Sequence, residues 1–117
     1  MIAASYTVGQ QEVRLSGPRP VLVDRIRSVT SAVAAHDHDY VEILLVLAGQ
    51  ALHHTARGSS RLRRGYVAVL APGDVHALEA CENLSVINLY YLAEWLLTAI
   101  PHDDKLNLRR HFLEPSL

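Results

Sequence analysis

Cysteine, net charge and long apolar runs are all scarce in this chain of 117 residues. The single cysteine, Cys81, excludes an internal disulfide. It suits a reducing compartment, so the cytoplasm is the expected location. Eleven Lys and Arg against twelve Asp and Glu leave a formal net charge of −1. That balance supplies no electrostatic reason to bind nucleic acid or an anionic membrane. The strictly apolar stretches are short, Ile43–Ala48 for example, where a membrane helix needs about 20 residues. The opening MIAASYTVGQ has neither a basic segment nor an apolar one, and predicts no signal peptide. Disorder is excluded as well, because half of the residues are hydrophobic and only 20% are charged. The length suits one domain that buries roughly two thirds of its unfolded surface.

Histidine is plentiful instead. There are seven, and four fall in two tight pairs, His36/His38 and His53/His54. Clusters of this kind point to metal or proton chemistry. The pairs are interspersed with apolar residues, which argues against a purification tag.

Most segments read as strands. Val21–Arg27, Ser31–Ala35, Tyr40–Leu47, Ala51–Ala56, Tyr66–Leu70, His76–Ala80 and Leu84–Tyr91 are rich in β-branched or alternating residues. Gly49-Gln50 reads as a turn and Arg57–Ser60 as a hairpin loop. Short strands at this spacing predict an all-β sandwich or barrel. The period changes near residue 91. Leu92, Trp95, Leu96 and Ala99 recur at helical spacing until Pro101. Asp103–Leu113 also looks helical, with acids first and bases last. The expected division is therefore a barrel over residues 1–91 and a helical extension over 92–117.

Alternation along a strand puts His36, His38 and Glu42 on one face. The turn Pro72-Gly73-Asp74 would deliver His76 at the start of a strand. Three imidazoles and a carboxylate suit a divalent first-row ion such as Zn, Ni, Fe or Mn. On a six-coordinate ion they would leave two positions open. Tyr40, His54, Asn88 and Tyr90 are candidates to line a cavity and contact a ligand. For Tyr40 and Tyr90 an aromatic core plug is the competing reading. His53 and His54 must face opposite ways, so at most one points inward, and an exposed hairpin pair is the simpler reading. Arg57, Arg61, Arg63 and Arg64 read as a solvated hairpin. Cys81 has no basic neighbour in sequence and reads as inert.

These residues resemble the cupin superfamily. His36, His38, Glu42 and Gly49 match its first motif, H-x-H-x3-E-x6-G, although no glycine precedes it. Gly65, Gly73 and His76 match the second, with Ala71 in place of its proline and Ala80 in place of its asparagine. The resemblance implies a jelly-roll barrel (a double-stranded β-helix) and assigns the metal positions to His36, His38, Glu42 and His76. A narrower resemblance is to the N-terminal sensor domain of AraC-type transcription regulators. It is carried by His36–Gly49, by Leu62–Leu78 and by Ile87–Tyr91 leading into a helix. It implies a barrel that binds a small-molecule effector and helices that form a homodimer. DNA would be bound only through a C-terminal domain that these residues do not include. No catalytic residue is expected on that reading. The competing reading is a single-domain metal-dependent cupin enzyme of the dioxygenase or isomerase type, with Tyr40 or His54 as its base.

Overall fold

A computed structural model describes residues 3–9, 13, 15 and 20–99. The strands are β1 (Tyr6–Val8), β2 (Val21–Val29), β3 (Val33–His38), β4 (Val41–Thr55), β5 (Gly58–Arg63), β6 (Val67–Leu70) and β7 (His76–Tyr91). One helix follows among the described residues, α1 (Ala93–Ala99). The all-β class holds, and the helix expected over residues 103–113 lies outside the described residues.

β4 and β7 organise the sheet. β7 pairs antiparallel with β2, β3 and β4, and β4 also pairs with β5 and β6. β1 is parallel to β3, with Tyr6 opposite His36. No pattern in the sequence marks this short strand.

Both long strands replace features that the sequence divides. Gly49-Gln50 is not a turn but lies inside β4. The stretch from Ala80 to Leu84, where a break was expected, lies inside β7. The two irregularities face each other, and the β4–β7 register shifts three times between Val46 and Leu52. Gly49 has φ +75°, and a Cβ there would sit 2.2 Å from the Asn83 carbonyl oxygen and 2.4 Å from that of Glu82. Ala80 and Asn83 also have positive φ. Such bulges bend a strand and raise its local twist. Turn and bulge use the same residue type, which is why glycine at position 49 misleads. The expected loop 57–60 is likewise shorter. Thr55 pairs with Gly58, so Ala56-Arg57 alone make the turn and Gly58–Ser60 are strand.

The core follows from the alternation. Leu44, Val46 and Ala51 of β4 meet Leu62 of β5 and Leu78, Leu84 and Val86 of β7. Leu62 and Leu84 are each 1% exposed, and burying each leucine stabilises the fold by roughly 1.5–3 kcal/mol. Cys81 sits in the same cluster, and burial pushes its thiol up. That environment matches the inert reading. A second cluster joins Leu15, Tyr40 and Tyr90, with Leu92 packed against it.

Candidate metal centre and cavity

Along β4 the inward residues run Glu42, Leu44, Val46, Ala51, His53. Along β7 they run His76, Leu78, Cys81, Leu84, Val86, Asn88, Tyr90. Polar groups occupy the tips of both strands and hydrocarbon the middle. A straight strand would hold Glu42 and His53 roughly 36 Å apart, at ~3.3 Å per residue. Yet the Glu42 carboxylate lies 3.9 Å from His76 Nε2, and His53 Nε2 lies 2.9 Å from His76 Nδ1. The bend at Gly49 folds the polar tips onto one another.

His36 and His38 come from β3, separated from Glu42 on β4 by a bend at Asp39-Tyr40. A single strand does not carry all three, but the alternation survives the bend and all three side chains are buried. His36, His38 and His76 each offer a ring nitrogen, and these atoms lie within 4.8 Å of one another. Glu42 Oε1 is 3.6 Å from His38 Nε2. Two ligands of one ion, each about 2.1 Å from it, stand at most about 4.2 Å apart. The carboxylate spacings already suit a shared ion, and the imidazoles need only a small closing movement.

The far side of each ring is held. His36 Nδ1 donates to the Ala34 carbonyl at 2.9 Å, and His38 Nδ1 to the Tyr40 carbonyl at 3.0 Å. Each bond leaves the Nε2 lone pair free, the tautomer a metal ligand needs. Around His36, the Tyr6 ring stacks at 5.1 Å between centroids, and Tyr40 stacks on His38 at 4.4 Å. His38 Nε2 and His76 Nε2 are buried without any hydrogen-bond partner. Unpaired buried nitrogens of this kind are costly and call for an explanation. Together with the nearby carboxylate, they fit a divalent cation.

Burial disfavours charge on several of these groups. Burial pushes Glu42 up to about 7. Burial lowers His38, and lowers His53 to about 4, with the neighbouring His54 adding to the latter. His76 is pushed down furthest, by burial first and then by the three histidines around it. The 3.6 and 3.9 Å contacts to Glu42 are too long for hydrogen bonds. Desolvation thus favours the neutral forms of Glu42 and of the imidazoles beside it over an ion pair.

A cavity of about 210 Å³ opens beside the cluster, with His36, Glu42, His76, Asn88 and Tyr90 at its polar side. Asn88 Nδ2 donates to the Tyr90 hydroxyl at 3.0 Å, and the Asn88 Oδ1 is buried without a partner. Burial raises the Tyr90 hydroxyl well above its usual range, so it stays protonated. Tyr40 is not on the cavity wall; it packs edge-on against Tyr90 at 5.0 Å. His54 faces away from the cluster and binds Ser59 Oγ and Glu79. The inward histidine of that pair is His53, which sequence alternation could not choose because the bulges reset the register.

The family model described as the AraC-like ligand binding domain matches residues 23–110. Among curated proteins, none matches the chain by sequence. Solved structures share the fold. A cupin-2 domain protein from Shewanella frigidimarina is 20% identical, with a TM-score of 0.53 over 59% of this chain and 68% of that one. A predicted oxalate decarboxylase from Thermotoga maritima is 24% identical, with a TM-score of 0.54 over 61% and 65%. A conserved protein of unknown function from Streptococcus pyogenes is 19% identical, with a TM-score of 0.52, and 62% of each chain is covered. The barrel is thus a cupin, and at these identities the structural likeness speaks for fold alone. No helix among the described residues is long and apolar enough to cross a membrane.

Proposed function

The chain belongs to the AraC-like ligand-binding domains, and from that premise we propose that it is a metal-assisted sensor of a small effector. The observation that carries the metal is the pair of partnerless buried nitrogens, His38 Nε2 and His76 Nε2, facing Glu42. His36, His38, Glu42 and His76 would hold a divalent ion of the Zn, Ni, Fe or Mn group. When bound, the ion supplies Lewis acidity at the polar side of the cavity. Asn88 and Tyr90 orient the effector by hydrogen bonds, and the buried walls exclude water from it.

The output path runs along β7. Asn88 bonds Tyr90, the Tyr90 ring packs on Tyr40, and Leu92 packs against the same cluster just before α1. Leu92 N also donates to the Pro20 carbonyl at 3.3 Å. An effector that moves Tyr90 shifts the start of the helical extension. Residues 92–117 form the dimerisation part in this reading, and a domain outside these 117 residues contacts DNA. The effector must bind one helix arrangement more tightly than the other to have this effect.

The same cluster could serve a metal-dependent cupin enzyme. Such an enzyme needs a base in the cavity, and neither candidate stands on its wall: Tyr40 packs behind Tyr90, and His54 faces outward. The sensor reading needs no such group.

Metal analysis of protein dialysed against zinc tests the reading. We expect one ion per chain, falling by at least about tenfold in occupancy at limiting zinc for His76→Ala. Equal occupancy in the variant removes His76 from the site. Sedimentation then reads whether zinc and candidate effectors change the monomer–dimer equilibrium; a catalytic turnover that needs the metal would favour the enzyme instead.

A further inference from the structure

We propose that the cavity takes a small amphiphilic molecule, with a hydrocarbon body and a head that carries an oxygen ligand beside an O–H or N–H group. A 2-hydroxy carboxylic acid with an apolar side chain is the type, and polyols are excluded. The proposal rests on the reading that the effector is held in this cavity.

Size, wall chemistry and one unpartnered atom carry it. An apolar cavity of about 150 Å³ is enough for benzene, so about 210 Å³ admits a substituted ring or a short branched chain. Ile26, Val29, Val33, Leu84 and Val86 line the body of the cavity and offer nothing to a hydroxyl. A pentose would fit by volume, but its ring of hydroxyls would lose water against hydrocarbon without gaining partners. Polar recognition is confined to one side. There His36, Glu42 and His76 face the cavity together with Asn88 and Tyr90.

Asn88 is 6% exposed and its amide nitrogen is committed to the Tyr90 hydroxyl. Its oxygen is buried and lacks a donor among the described residues. A ligand O–H or N–H would complete it. Strand β7 places Asn88 two residues before Tyr90 and directly opposite Leu44 of β4. The amide therefore sits where the hydrocarbon wall ends and the imidazole cluster begins. A ligand with its oxygen head at the cluster presents its adjacent carbon's substituent to Asn88 and its apolar body to the walls.

Mandelate, phenylacetate and xylose are similar in size and separate these features. Isothermal titration into zinc-loaded protein should rank mandelate at least about tenfold above phenylacetate, which lacks the hydroxyl. Xylose should give no binding in the same range. Asn88→Leu should bring the mandelate and phenylacetate constants together. The wild-type ranking stands as a test even if that variant does not fold. Xylose binding as tightly as mandelate, a mandelate preference that survives in Asn88→Leu, or failure of all three probes would overturn the proposal. Zinc uptake is measured beforehand. Protein that takes up no zinc defeats the metal reading alone, and the same ranking is then required of the metal-free protein.

Discussion

The tips and the middles of β4 and β7 are the two regions that differ most in this barrel. The middles supply Leu44, Val46, Leu78, Leu84 and Val86 to the core. The tips supply Glu42, His53, His76 and Asn88, all equally buried. Both regions belong to the same two continuous strands and the same ladder. Burial therefore does not distinguish them; satisfaction does. Apart from the Cys81 thiol, the buried side chains of the middle are hydrocarbon and need no polar partner. At the tips, His76 Nε2 and Asn88 Oδ1 lack partners, as does His38 Nε2 on the adjoining β3. The middle accounts for stability, and the tips hold the unmet valences that a cation and a ligand would fill.

The largest effect should come from breaking the bend that separates the two regions. At Gly49 an added Cβ meets backbone carbonyls, which cannot swing away, at a φ that L residues avoid. Gly49→Ala is expected to cost about 4 kcal/mol by urea unfolding, and to abolish zinc uptake by separating the tips. Normal uptake in a folded variant would show that the tips meet without the bend.

Next comes the core that β5 packs against the middle. Leu62→Ala should cost about 3 kcal/mol by the cavity it leaves, while zinc affinity of the folded protein changes by less than about twofold. A large loss of affinity would mean that the core positions the ligands.

A change confined to the tips is smaller again. His53 accepts the Nδ1 proton of His76 when Nε2 of His76 is to be a ligand. His53→Leu removes that support and should weaken zinc binding by about 10–100-fold, with His53→Gln recovering part of it. Equal affinities for the leucine and glutamine variants would reduce His53 to packing.

The smallest effect is the response of metal-free protein to pH, because its contributions oppose. His53, held at about 4, and His76 and His38, also lowered, add stability that is present above the unfolded value of 6.5 and is lost on acidification. Glu42, raised to about 7, acts the other way, since its buried neutral form is favoured as pH falls from 7 to 4.5. Three imidazoles against one carboxyl predict a net fall in the unfolding midpoint between pH 6.5 and 4.5. A flat profile would show that the tips open to water before they titrate.

The chemistry of the tips was largely legible in the sequence, and the geometry that unites them was not. The spacing of His36, His38 and Glu42 is local and survives the bend at Asp39-Tyr40, whereas His76, on β7, joins them only through the motif resemblance. His53 was hidden because alternation says that it and His54 diverge, not which of them turns inward. The choice depends on the bulges opposite Ala80 and Asn83, both at positive φ, and alanine at position 80 carries no compositional signal for it. The strand content was readable from β-branched runs, whereas Gly49 misled because a bend within a strand and a turn between strands call for the same residue. β1 is three residues long and carries too little pattern to register.

The central place of β7 also governs how the chain must fold. Its partners are β2, β3 and β4, so Val21 finds Tyr91 and Glu42 finds Tyr90. Contacts so distant along the chain make folding slow. During synthesis, β2 and β3 meet β7, their antiparallel neighbour among the described residues, only once it has left the ribosome. The nascent chain exposes unpaired strand edges until then, an interval in which aggregation competes with closure. The final segment before α1 acts as the fastener that ends it.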